Sequence, residues 1–422
     1  MNFVKITKLS AREILDSRGI PTIETTVTLS DGSTGKFGVP AGSSTGTSEA
    51  FELRDNDPTR YHGNGVLTAV NNVQKTIANE IVDRTFPTQE DLDDTLIDLD
   101  GTPNKSKLGG NTILSVSAAF FKAIATSKKL QPYQYFQKVT ETPEFTLPQM
   151  QILLMEGGKH GNWATDFQEY MIVPRKEVFT TVAESIQAGS EIFWATREIL
   201  NEKGYSVNVG FEGAYAPPEI RSNTEAFEII LAGIEKAGYT PGEEIVLAID
   251  AAASEFYEDG VYNLKREGKQ LTSDEWIALQ IEWLDKYPIW SLEDTLDEKD
   301  WDGWTKLTTM VGGNLQVVGD DLLTTNVQLI TKAAERQAVN AIIIKINQIG
   351  TLTEALDAIN AANEAGFATI VSHRSGETND NLIADMVMGT SSSQTKFGGA
   401  DRGERLAKYN RLLEIESQVT YS

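Results

Sequence analysis

The chain has no cysteine, only three histidines, and 37 Lys+Arg against 61 Asp+Glu among its 422 residues, a formal net charge of −24. Each shortage excludes something. Without thiols there is no disulfide frame, no thiolate metal site and no cysteine nucleophile, so any metal must be held by oxygen or by a scarce imidazole. Hard cations such as Mg²⁺ suit that donor set. Nucleic-acid binding needs a basic face that displaces counterions from phosphates, so acidity on this scale argues against nucleic acid as a partner. No apolar run approaches the roughly 18 residues of a membrane span, and the start, MNFVKITKLS, lacks the apolar core of a signal peptide. The expectation is a soluble, cytoplasmic protein without a membrane partner. A hydrophobic fraction of 40% at this length supports large cores, and a prior of about 150 residues per domain allows two or three domains.

Residues 22–30 alternate, with Ile23, Thr25, Val27 and Leu29 on one side, and Asp31-Gly32 follows, so a half-buried strand entering a hairpin is expected. Val66, Val70, Val73, Ile77 and Ile81 recur at helical steps, and Ile113–Ile124 is a second helical stretch. Strands followed by helices predict a small α+β domain, with the domain link placed in the Pro-containing stretch Lys138–Met150. Beyond residue 165 come short apolar runs at 170–173, 207–209, 245–249, 288–292, 315–318, 341–344 and 368–371, suited to strands buried on both faces. Helical stretches lie between them, two of them opened by the capping boxes Thr272-x-x-Glu275 and Thr351-x-x-Glu354. This βα alternation predicts an α/β barrel or an open parallel sheet.

The residues that end these runs carry the chemistry, because strand ends converge on the mouth of a (β/α)₈ barrel. Asp250, Glu293 and Asp320 would bring three carboxylates together, an arrangement that calls for a cation. Lys345 follows Ile342-Ile343-Ile344, where desolvation and nearby cations lower a lysine towards use as a base. The stretches around Lys159-His160 and His373-Arg374-Ser375 add donors for an anion, and the Arg374 fork suits phosphate best. Such a set fits removal of a carbon-bound proton beside a carboxylate, with Glu169 or Glu212 kept protonated by apolar surroundings as the separate acid.

Specific stretches then line up in order: Leu15-Asp16-Ser17-Arg18-Gly19, Ser44-Thr45-Gly46, Glu52-Leu53-Arg54-Asp55, Gln168-Glu169, Ser291-Leu292-Glu293-Asp294, Gly319-Asp320-Asp321-Leu322, Lys345–Leu352, Ser372–Thr378 and Arg405–Asn410. Together they resemble the enolase (phosphopyruvate hydratase) family along essentially the whole chain. The resemblance implies an N-terminal α+β cap over residues 1–137, carrying a mobile active-site loop. It implies a modified (β/α)₈ TIM-type barrel over 138–422, usually as a homodimer. The implied reaction is the reversible dehydration of 2-phosphoglycerate to phosphoenolpyruvate. Asp250, Glu293 and Asp320 would hold a first Mg²⁺, Lys345 would be the base, and Glu212 the acid with Glu169 beside it. His160, His373, Arg374, Ser375 and Lys396 would contact the substrate's phosphate and carboxylate.

Departures from that pattern cluster at the expected mouth. Ala41 lacks the hydroxyl through which the family's loop meets a second Mg²⁺, leaving its carbonyl and Ser43, so one tight Mg²⁺ and a weaker second are expected. Phe211 replaces an acid beside Glu212 and is expected to raise the Glu212 carboxyl. Glu156 and Lys159 replace Asn and Ser ahead of His160, and Lys159 offers a cation to an extra anionic group of a substrate. Ile20 and Thr295 stand where the family has Asn and Pro. At the family's dimer contact Arg12 and Glu404 remain able to pair, but Glu24 would face Glu414, predicting an altered dimer. Three readings follow: the family reaction itself, a paralogue acting on a related phosphonate or phosphate (carboxyphosphonoenolpyruvate synthase-like), and a non-catalytic binding protein. The intact acids and Lys345 argue against the last, since an idle site has no reason to keep costly buried charges.

Overall fold

The computed structural model describes residues 4–43, 46–142 and 145–419, so residues 1–3, Ser44, Thr45, Pro143, Glu144 and 420–422 lie outside the described residues. An antiparallel meander opens the chain: β1 (Ile6–Leu15), β2 (Pro21–Leu29) and β3 (Thr34–Gly38). The β2 alternation holds, with Ile23, Thr25, Val27 and Leu29 buried, and the turn closes at Gly32 with φ 87°. β1 is not foreseen by pattern, because polar residues interrupt its apolar ones. The helix Gly110–Ser127 lies across β2 and β3 so closely that a Cβ on Gly35 would stand 2.1 Å from the Ala119 carbonyl oxygen. The valine and isoleucine stripe 66–81 is buried as expected, though a π turn at Asn72–Ile77 divides its helix. A helix then runs Pro132–Thr140 before the first barrel strand.

The barrel closes in the order β10-β11-β12-β13-β14-β4-β5-β6. Its strands are β4 (Gln149–Glu156), β5 (Glu169–Pro174), β6 (Ile245–Asp250), β10 (Ile289–Glu293), β11 (Gln316–Gly319), β12 (Ala341–Ile344), β13 (Ala368–Ser372) and β14 (Gln394–Gly399). A separate antiparallel trio, β7 (Tyr257–Glu258), β8 (Val261–Leu264) and β9 (Lys269–Leu271), follows β6. The simple βα alternation fails at one place. β5 pairs antiparallel with both β4 and β6, and two helices, Val182–Lys203 and Asn223–Lys236, follow it before the chain re-enters the barrel. The run 207–209 is accordingly not a barrel strand; Val209 makes only a bridge to Tyr215.

Because β5 runs backwards, the end of it that reaches the mouth is its first residue. Register then sets Glu156, Glu169, Asp250 and Glu293 side by side across β4, β5, β6 and β10. Neighbouring partners in a sheet project to the same face. A row of acids across four strands is therefore a product of register, and Asp320 and Lys345 extend it just past β11 and β12. Among the described residues no helix is long and apolar enough to cross a membrane.

Candidate active site

Lys396, inside β14, carries its buried ammonium to the centre of the acid row. Its Nζ lies 2.6 Å from Glu293, 2.9 Å from Asp250 and 3.2 Å from Glu169. Burial alone would lower it, but Asp250, Glu169 and Glu293 hold it well above the ordinary lysine range. Lys345 bonds Asp320 directly, and its backbone N–H is fixed by Thr325 Oγ1 at 2.9 Å. Burial pulls Lys345 down and the Asp320 carboxylate more than restores it, so the structure holds it raised, opposite to the direction expected from sequence. Asp320 in turn accepts from Gln348 Nε2 at 2.8 Å.

The carboxylates exceed the cations available to them. Glu293 is driven well above the carboxylate range by burial and by Asp250, and its Oε2 has no hydrogen-bond partner among the described residues. Asp321 is pushed up to about 8 by burial and by Asp320, and Asp294 rises for the same kind of reason. Asp294 has a second role: its two oxygens accept the N–H groups of Asp320 and Asp321, each at 2.8 Å, and so fix the turn after β11. Asp294, Asp320 and Asp321 offer ligand atoms within 4.8 Å of one another, whereas Asp250 and Glu293 share the Lys396 ammonium and fall, among the described residues, in no such group with Asp320; the all-oxygen donor set and crowded like charges of the row suit a hard divalent cation.

On the far side, His160, Glu169 and Glu212 offer ligand atoms that all lie within 4.8 Å of one another. His160 Nδ1 stands 3.2 Å from Glu212 Oε1, and neither of its ring nitrogens has a hydrogen-bond partner among the described residues. The always-charged Arg405 donates to His373 Nδ1, which places the His373 proton on Nε2, 4.0 Å from Glu212 Oε2. Burial also pushes His373 well below the usual histidine range. Burial opposes ionisation of Glu212, yet His160, then His373, outweigh it and hold Glu212 well below the carboxylate range. The expected rise does not occur, because Phe211 is 40% exposed and seals nothing. Glu169 behaves as expected: burial and the charge of Glu212 raise it well above the carboxylate range.

The anion donors are partly engaged within the chain. The Arg374 fork grips Glu49, with NH1 3.1 Å from Oε2 and NH2 3.2 Å from Oε1. Ser375 Oγ meets Ser43 Oγ at 2.8 Å. Ala41 is fully buried and exchanges backbone hydrogen bonds with Gly376, its carbonyl accepting at 2.9 Å. Lys159 pairs with Glu255 at 2.5 Å. One cavity is thus lined by His160, Glu169, Glu212, Asp250, Asp320 and Lys345 together with His373, Arg374, Ser375 and Lys396. Glu293 stands in the acid row beneath it, whereas Lys159, Phe211, Ala41 and Ser43 are not brought to its lining. Sequence reasoning missed Asp294, Asp321, Gln348, Glu49 and the role of Arg405. The doublets Glu293-Asp294 and Asp320-Asp321 carried a signal for two of them.

A capping α+β domain over a closed, modified barrel, with an acid row, two buried lysines and a buried guanidinium at one mouth, defines the class of capped barrels with a charged cavity at the strand ends. Residues 6–136 match the family model of the enolase N-terminal domain, and residues 144–422 match that of the enolase C-terminal TIM barrel domain. The chain belongs to the enolase family.

Proposed function

We propose that the chain is a Mg²⁺-dependent carbon–oxygen lyase that interconverts 2-phosphoglycerate and phosphoenolpyruvate. One observation carries this reading. Lys345 and Glu169 belong to strand ends four places apart in either direction around an eight-strand barrel, so a base and an acid pair face each other across the cavity they line. In this scheme Asp320 turns from Lys345 to the cation, which takes away the carboxylate that holds Lys345 protonated, and the neutral Nζ then takes the proton from the carbon beside the substrate carboxylate. The electron pair left behind forms the carbon–carbon double bond, and the neighbouring hydroxyl departs as water with a proton from the Glu169–Glu212 pair. Arg374 exchanges Glu49 for the phosphate, and His373 donates its Nε2–H. Asp250, Glu293 and Asp320 would hold Mg²⁺, which would supply positive charge against the charge that develops on the substrate carboxylate.

Protein supplied with Mg²⁺ and 2-phosphoglycerate is expected to form the enol product at about 1 to 10³ per second. Lys345→Ala is expected to lose both product formation and exchange of the substrate's carbon-bound proton with deuterated solvent, each by at least about 10²-fold. Exchange at the parental rate in that variant would remove Lys345 as the base. No turnover by the parent would remove the reaction. A phosphonate analogue processed in its place would keep the residues' roles and change the substrate.

A further inference from the structure

Glu156 closes β4 and is buried to 1% exposure. Its Oε1 accepts the Ala214 N–H at 3.0 Å, and both its oxygens lie 3.2 Å from the Glu212 N–H. A Cβ on Gly210 would come within 2.4 Å of the Glu156 carboxyl carbon, so any side chain there would push this carboxyl aside. The main chain of Glu156 reaches further. Its N–H donates to Tyr215 at 2.9 Å, and its carbonyl lies beneath Gly161, where a Cβ would stand 2.2 Å away. Glu169 is its register partner. One residue therefore touches all three segments that carry His160, Glu169 and Glu212.

We propose that Glu156 is a positioning residue for Glu212: its carboxyl, sealed behind the His160–Glu169–Glu212 cluster, grips the backbone of the turn that presents the Glu212 carboxylate to Glu169. The assignment rests on the reading of Glu212 as part of the proton-donating pair. Burial, then the charge of Glu212, push Glu156 up to about 8, against the pull of the Ala214 and Glu212 N–H groups and of Arg405. Glu169, Tyr170, Lys159, His160 and Tyr215 are further titratable groups on the segments packed against it. At neutral pH the gripping group is a neutral carboxyl, which accepts both N–H groups without adding a second charge beside Glu212. An amide of the same length keeps an oxygen at the Oε1 position, which faces both the Ala214 and the Glu212 N–H.

The test compares Glu156→Ala with Glu156→Gln in the full chain with Mg²⁺ and 2-phosphoglycerate. In Glu156→Ala, product formation is expected to fall by about 10- to 100-fold, while KM and deuterium exchange through Lys345 each change by less than about threefold, because only the acid side is displaced. Glu156→Gln is expected to restore product formation to within about threefold. Should the alanine variant not fold, Glu156→Asp, which withdraws the carboxyl by one carbon, is expected to show the same split in weaker form. The chain's three histidines give a readout independent of turnover. The imidazole NMR signals of His160 and His373 are expected to move in Glu156→Ala and that of His62 to stay. Equal loss of exchange and product formation without rescue by Gln, or unmoved His160 and His373 signals, would overturn the proposal. A parent inactive on 2-phosphoglycerate would remove the function proposed above, and the imidazole signals would still decide the role of Glu156.

Discussion

Lys159 illustrates what a residue type does and does not tell. Its charge suggests a grip on substrate, but its direction depends on Glu255, a counter-charge 96 residues away that reaches it with both carboxylate oxygens. The lysine side chain is 42% exposed, and exposed pairs contribute only about 0.2–1 kcal/mol. Lys159→Ala is therefore expected to leave kcat/KM for 2-phosphoglycerate within about threefold and stability within about 1 kcal/mol. A loss beyond about tenfold in steady-state kinetics would mean that the pair opens and the ammonium meets substrate. Asp250, Glu293, Asp320 and Lys345 were legible in the sequence for a simple reason: each directly ends or follows an apolar run, and strand ends converge. Glu212 was legible as a site residue, but its charge state was not, since that depends on His160 and His373, which only the fold brings close.

At the scale of elements, periodicity located strands β6 and β10 to β13 because each is buried on both faces and reads as an unbroken apolar run. It did not find β14, whose Gln394, Thr395 and Lys396 are polar yet buried, nor the reversal of β5, since strand direction is set by connections and not by side-chain pattern. The capping boxes fared differently. Thr272 and Glu275 form the reciprocal pair, whereas at Thr351 the Glu354 carboxylate bonds the Thr351 hydroxyl and Lys105 from the cap. That helix start makes a second cross-domain contact. Asp93, on the cap helix Gln89–Asp100, accepts the Thr353 N–H at 3.0 Å and its hydroxyl at 2.7 Å. Burial raises Asp93 to about 6 from 3.8, despite those bonds. Between these values the folded chain binds more protons than the unfolded one, so this group makes stability fall as pH rises towards 6 and withholds its contribution above that. Asp93→Asn is expected to remove that slope, a relative change of about 2–3 kcal/mol across pH 4–6. Urea unfolding of parent and variant at several pH values measures it, and parallel curves would refute it.

For the whole molecule the same imbalance of charge recurs at two depths. The formal net charge of −24 is spread over a surface where salt screens it within about 8–10 Å, but the acid row is shielded from salt by burial. Lys396 and Lys345 neutralise only part of that row, leaving Glu293 Oε2 without a partner among the described residues and Asp321 pushed up to about 8. A divalent ion at Asp250, Glu293 and Asp320 would bind only the folded chain, so it stabilises by mass action, about 2.7 kcal/mol at one hundred times its Kd. Over 422 residues the unfolding entropy is large, and that free energy corresponds to a rise in Tm of only about 3 °C. Sodium chloride at equal ionic strength reaches the surface charges but not the row, so it is expected to give a smaller rise that does not saturate at millimolar concentration. Glu293→Gln removes one proposed ligand and is expected to lose the saturable Mg²⁺ component while keeping the salt response. A calorimetric scan showing the same shift with both salts in the parent, or an undiminished Mg²⁺ shift in Glu293→Gln, would mean that the cation acts on the surface and that the buried acids are balanced by the two lysines alone.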